Sequence, residues 1–160
     1  MLKVGITGQS GFIGTHLYNT IGLFTESYNL IDFKDCFFEK EEKIDAFVSQ
    51  CDVIVHLAAM NRHSDSEVIY NTNIKLVNTL VASLKRTNSA AHIIMSSSSQ
   101  EEKDNLYGKS KKDGRKLLID WQRTSKGLFS GLIIPNVFGP FGKPNYNSVV
   151  ATFCHKLANN

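Results

Sequence analysis

Apolar residues recur along this chain in two alternating rhythms. Leu2 to Thr7 is a short apolar run ending beside a glycine, and it predicts a buried strand. From Gly11 to about Ile21, Phe12, Ile13, Leu17 and Ile21 return at helical spacing. Tyr28 to Asp32 reads as a second strand, Phe33 to Lys43 is charged and poorly periodic, and Ile44 to Gln50 suits a short helix. Asp52 to Leu57 is rich in β-branched residues and predicts a strand. Glu67 to Leu84 carries Val68, Ile69, Ile74, Val77, Leu80, Val81 and Leu84 and predicts a long helix. His92 to Met95 is a strand that runs into Ser96, Ser97, Ser98 and Ser99. Asn105 to Arg123 is a second long helix with Leu117, Leu118 and Trp121 on its apolar side. Phe129 to Pro135 is the next strand, 140–148 a Pro/Gly/Asn-rich loop, and Val149 to Leu157 a further helix.

Apolar strands joined by helical crossovers imply an α/β fold, a doubly wound parallel sheet with helices on both faces. The crossovers are expected to be right-handed. No repeat or low-complexity linker divides the chain, so residues 1–160 are expected to form one domain.

Composition narrows the class. With 42% hydrophobic and 21% charged residues the chain has the make-up of a folded globular protein. Its net charge of +3 is small and scattered, which predicts no nucleic-acid partner. No apolar run reaches the ~18 residues of a membrane span. Three cysteines without a CxxC pair suit a reducing cytoplasm. His16, His63, His92 and His155 have no partners at ligand spacing, so no metal site is expected.

The first strand ends at Gly8-Gln9-Ser10-Gly11-Phe12-Ile13-Gly14. A glycine-rich turn between strand and helix lets backbone approach a pyrophosphate and directs a helix N-terminus at it. Asp32 lies at roughly the ~20-residue distance of the acid that binds an adenosine ribose. These features predict a Rossmann-like dinucleotide-binding fold. Asp32 favours NAD, whereas Lys34 offers a cation for the additional phosphate of NADP, and both cofactors stay open.

Tyr107 and Lys111 stand four residues apart and share one helix face. A free tyrosine titrates near ~10, and a neighbouring ammonium favours its phenolate. The pair therefore suits general acid catalysis on a carbonyl, with a serine of the 96–99 run hydrogen-bonding the same oxygen.

TGQSGFIG (7–14), HLAA (56–59), Asn73, SSS ahead of YGKSK, and PNVFGP (135–140) together resemble the extended short-chain dehydrogenase/reductases, the nucleotide-sugar epimerases, dehydratases and reductases. VHLAAMNR (55–62), SSSSQ with DNLYGKSK, and KPNYNSVVATFC (143–154) are similar to the capsular polysaccharide synthesis reductases within that group. The resemblance implies reduction of a UDP-linked 4-keto-6-deoxy-N-acetylhexosamine with NADPH. It also implies that 1–160 is the N-terminal part of a longer, two-part enzyme.

The resemblance assigns Gly8, Ser10, Gly11, Phe12, Ile13 and Gly14 to the cofactor phosphates. It assigns Leu57, Ala58 and Ala59 to the adenosine and ribose side, where the spacing already puts Asp32 and Lys34. It makes Asn73 an anchor that orders the active site, with a helix-surface amide as the competing reading, and sets Pro135 between nicotinamide and substrate. Ser98, Tyr107 and Lys111 match the catalytic three, with Ser97 and Ser99 as alternatives to Ser98. Asn136, Tyr146 and Asn147 face the nucleotide-sugar; a polar turn capping the next helix is the competing reading for the last two. It implies a homodimer through the helices at about 67–87 and 105–123.

Two departures stand out. Ile133 occupies a place where many relatives carry arginine, and 33–49 lacks a strand with an acid for adenine. A 4-epimerase or a dehydratase using Glu101 or Glu102 is the alternative on the same fold, and a non-catalytic dinucleotide-binding fragment is another.

Overall fold

The computed structural model describes residues 1–159. Five strands, β1 (Leu2–Thr7), β2 (Tyr28–Ile31), β3 (Val53–His56), β4 (His92–Ser98) and β5 (Leu128–Ile134), form one parallel sheet in the order β2-β1-β3-β4-β5. Between them lie α1 (Phe12–Ile21), α2 (Glu41–Val48), α3 (Ser66–Arg86) and α4 (Leu106–Arg123), and α5 (Val149–Ala158) follows β5. Among the described residues, no helix is long and apolar enough to cross a membrane.

The two faces of the sheet are covered by different helices. Gly5 turns toward α2, where an added Cβ would meet the Phe47 ring at 2.4 Å. Its register partner Ile54, and Ile93 paired in turn with Ile54, share that face and are fully buried. Phe33, Ile44, Phe47, Leu80, Leu84, Leu118 and Trp121 complete this core from α2, α3, α4 and the segment after β2. Val4 and Leu30 pair on the other face, where Gly22 at the end of α1 approaches the Leu30 side chain. Both faces therefore carry helices, as the alternation predicts, but the second face carries α1 over β1 and β2.

Two elements differ from the reading of the sequence. The poorly periodic segment after β2 forms a 3₁₀ turn, Asp35–Glu39, which leads into α2. The serine run does not end β4: Ser96, Ser97 and Ser98 continue the strand, paired with Leu132, Ile133 and Ile134. Pairing to a neighbouring strand outweighs the weak intrinsic strand preference of serine. A second 3₁₀ turn, Ser99–Glu102, then links β4 to α4.

The chain winds from β1 outward to β2, then crosses back to place β3 on the opposite side of β1. The order reverses there, and such a reversal opens a ligand crevice beyond the C-terminal ends of the strands. The glycine motif after β1 and the segment 57–60 after β3 both lie at that reversal.

Candidate functional site

Gly8 adopts φ +71°, a conformation that L side chains rarely take. A Cβ there would meet the Ala58 backbone nitrogen at 2.8 Å, so the two crevice loops touch through backbone. Gly14 is packed beneath the turn, and a Cβ on it would meet the Gly8 carbonyl oxygen at 2.2 Å. Leu57 N–H donates to the Thr7 carbonyl at 3.1 Å, and Ala58 N–H to the Thr7 hydroxyl at 3.4 Å. The helices α3, α4 and α5 start with side-chain caps from Asp65, Asn105 and Ser148, whereas α1 at Gly11 and α2 at Lys40 start with none, and only α1 follows a glycine turn. An uncapped helix start behind a glycine turn presents N–H groups suited to phosphate oxygens. Residues 8–14 thus fit a dinucleotide.

The adenosine-side candidates cluster nearby. Asp32 follows β2, is exposed, and accepts the Tyr18 hydroxyl at 3.4 Å. The Ser10 hydroxyl donates to Asp35 at 3.4 Å, and Lys34 is exposed beside them. Asp35 escaped the sequence reading because it lies beyond the expected acid position.

The end of β4 and the start of α4 bring the second set together. Lys111 is 5% exposed, and its ammonium donates to the Ser96 carbonyl at 3.1 Å. The same ammonium lies 5.8 Å from the Tyr107 ring centroid. Burial lowers the Lys111 pKa to about 8, and the negative charge of Glu101 opposes that fall. Burial raises the Tyr107 pKa, and hydrogen bonding with the Ser98 hydroxyl opposes the rise. The net direction for Tyr107 without a bound dinucleotide is therefore upward, since desolvation outweighs the hydrogen bond with Ser98.

The four serines differ in what holds them. Ser97 is buried and donates to the Glu101 carboxylate. Ser96 reaches the His56 carbonyl at 3.5 Å, and Ser99 is exposed in the 3₁₀ turn. Ser98 borders Tyr107 and also accepts from Gln100 N–H at 3.2 Å. His56, beneath them, is buried, and its Nδ1 lies 2.8 Å from the Thr7 hydroxyl. Burial first, and the charge of Lys111 second, lower the His56 pKa to about 3.

Asn73 is a buried anchor. Its amide donates to the Met60 carbonyl and to the Ser110 hydroxyl, each at 3.0 Å, and it accepts from Met60 N–H at 2.7 Å. All of these bonds tie the loop after β3 to α4. Asn73 on α3 thus joins two parts of the crevice.

Pro135 and Asn136 follow β5 and are exposed. Tyr146 and Asn147 are held by residues the sequence reading did not single out. The Tyr146 hydroxyl donates to Asn61 at 2.9 Å, Arg62 donates to Asn147 at 3.0 Å and to the Tyr146 carbonyl, and the Arg62 guanidinium lies 4.7 Å from the Tyr146 ring centroid. The cap of α5 is Ser148, which accepts from Ala151 N–H. A cavity of about 550 Å³ opens here, lined by Arg62, Tyr146, Asn147, Thr152, Phe153 and Lys156.

Residues 4–160 match the model of the NAD dependent epimerase/dehydratase family. The chain is 32% identical over 167 residues to a Pseudomonas aeruginosa UDP-2-acetamido-2,6-beta-L-arabino-hexul-4-ose reductase, covering 98% of this chain and 41% of the relative. It is similar in structure to the capsular polysaccharide assembling protein CapF of Staphylococcus aureus, with TM-score 0.77 and 31% identity, covering 99% of this chain and 41% of that one. The structure of RMD from Pseudomonas aeruginosa complexed with NADPH superposes with TM-score 0.86 at 19% identity, over 99% of this chain and 61% of that one, a likeness of fold. The chain thus spans about two fifths of the length of the curated relative it matches.

Proposed function

The chain belongs to the NAD dependent epimerase/dehydratase family, and from that premise we propose that it serves in reducing the keto group of a nucleotide-sugar. Residues 1–160 act in this reading as one dinucleotide-binding domain. The carrying observation is that Ser98, Tyr107 and Lys111 lie together where β4 meets α4, with the glycine turn after β1 at the same end of the parallel sheet.

A bound NADPH or NADH supplies the hydride. Gly8 to Gly14 hold its pyrophosphate, with Asp32, Lys34 and Ser10 toward the adenosine ribose and Leu57 to Ala59 along the crevice wall. Tyr107 holds its proton at rest, because its pKa is raised. It therefore suits donation to the oxygen of a carbonyl under reduction, where the proton is consumed. Ser98 hydrogen-bonds that oxygen and afterwards the phenolate. Lys111 keeps a positive charge within reach of the ring and stabilises the phenolate once the proton has left.

Reduction fits better than elimination. Glu101, the candidate acid for a dehydratase, is ion-paired with Arg115 at 2.6 Å and held below the usual carboxylate range by that partner. Glu102 is exposed.

The finer substrate reading is a UDP-4-keto-6-deoxy-N-acetylhexosamine on a route to surface polysaccharide. The likeness to the Pseudomonas reductase and to CapF supports it. The cavity beside Arg62, Tyr146 and Asn147 has the size of a small-molecule site. Asn136 belongs to the same substrate-side reading. The test is NADPH oxidation at 340 nm with such a ketone, set beside NADPH binding by fluorescence. Tyr107→Phe is expected to lower kcat about 100-fold or more while NADPH affinity holds. Unchanged turnover in that variant overturns the mechanism.

A further inference from the structure

One ion pair beside the site, between a buried carboxylate and a partly exposed guanidinium, is absent from the chemistry above. Glu101 leaves the 3₁₀ turn after β4 with its side chain 6% exposed. Arg115, one helical turn beyond Lys111 on α4, donates to both of its carboxylate oxygens, through Nε at 3.0 and 3.2 Å and through a terminal nitrogen at 2.6 Å. The hydroxyl of Ser97, directly before Ser98, donates to the same carboxylate. The pair therefore joins three pieces: the last residues of β4, the turn, and the helix that carries Tyr107 and Lys111.

We infer that Arg115 and Glu101 are positioning residues for the catalytic pair: through Ser97 they hold Ser98 against Tyr107, and the Glu101 carboxylate supplies a fixed negative charge to the Lys111 ammonium. The inference rests on Tyr107 and Lys111 being the reacting pair. A fork of two parallel hydrogen bonds fixes direction as well as distance, which a lone lysine cannot do. Leaving the buried Glu101 carboxylate without its guanidinium is costly, so the carboxylate depends on Arg115.

The groups facing Lys111 are His56 from β3, the Ser96 carbonyl from β4, Glu101 from the turn, and Tyr107 from its own helix. His56 is neutral across the working range, so Glu101 carries the facing negative charge that opposes the desolvation of Lys111. Arg115 partly cancels that charge. Each half of the pair consequently has its own sign of effect on Lys111.

The test is a titration of Lys111 by ¹³Cε lysine NMR on the full chain, assigned with Lys111→Arg and run without substrate or cofactor. Failure here is thus separable from failure of turnover. In Glu101→Gln, Lys111 is expected to titrate below about 8. In Arg115→Gln it is expected above that value, and in Arg115→Lys close to it. A purely structural brace opens the site to water in both Gln variants and moves Lys111 upward in both. Shifts in one common direction, or no shift in either, overturn the inference. If Arg115→Gln does not fold, Glu101→Gln/Arg115→Gln takes its place, since it leaves no unpaired buried charge. There Lys111 is expected to return part of the way toward about 8, and a value equal to or below that of Glu101→Gln overturns the inference.

Discussion

The crevice at β1 and β3 and the segment beyond β5 are built in opposite ways. At the crevice, backbone touches backbone: the turn at Gly8 packs against Ala58, and Gly14 lies under the Gly8 carbonyl. Beyond β5, shape depends on side chains that reach across the fold, with Arg62 and Asn61 lacing Tyr146 and Asn147. The crevice rests on a buried sheet core, whereas α5 has no buried residue and exposes Val149, Phe153 and Leu157. A site made of backbone tolerates almost no added volume. A site made of exposed side chains can lose one and keep the fold.

The sharpest way to break this comparison is Gly14→Ala. The added methyl has no room beside the Gly8 carbonyl oxygen, at 2.2 Å. Overpacking of this kind costs about 1–3 kcal/mol, and here it displaces the phosphate turn itself. NADPH affinity is expected to fall at least about tenfold, with a lower melting temperature. Retained affinity with an unchanged melt removes the idea of a backbone-built cradle.

The next effect is on acid stability. His56 is buried and neutral, with its pKa lowered to about 3 from 6.5. Between those values the unfolded chain binds a proton that the folded chain refuses, so stability falls as pH drops from 6.5 toward 3. The penalty at pH 3 is on the order of 4 kcal/mol. His56→Asn retains a partner for Thr7 and removes this titration. Urea unfolding at pH 7 and pH 4 is expected to show a smaller pH-dependent loss in the variant than in the parent; equal losses refute the assignment.

These contrasts also explain what could be read before folding. The strands, the helices and the glycine turn follow from residues near one another in the chain, and Tyr107 and Lys111 from a spacing of one helical turn. The serine strand end was hidden, because the pairing of Ser96 to Ser98 with β5 comes from a neighbour rather than from serine itself. The choice among the serines was hidden too: it turns on Ser97 being engaged by Glu101, while Ser98 borders Tyr107. Glu101 and Arg115 share no periodicity, since a 3₁₀ turn and a helix start intervene. Arg62 and Tyr146 are 84 residues apart, and no local pattern links them.

The smallest effect tests the exposed half of the comparison. Arg62→Ala removes two hydrogen-bond acceptors' partner and the stacking on Tyr146, all at exposed positions. A cation–π contact at such a site contributes about 0.5–1 kcal/mol, and nothing in the sheet core depends on it. The melting temperature is therefore expected to move by no more than a few degrees. Amide exchange around Tyr146 and Asn147 is expected to quicken several-fold, while exchange in β1 and β3 stays the same. Because local opening draws on local contacts, faster exchange confined to this loop is the signature of a segment held by its own lacing. Acceleration that spreads to β1 and β3 would instead join the two regions into one cooperative unit and dissolve the comparison.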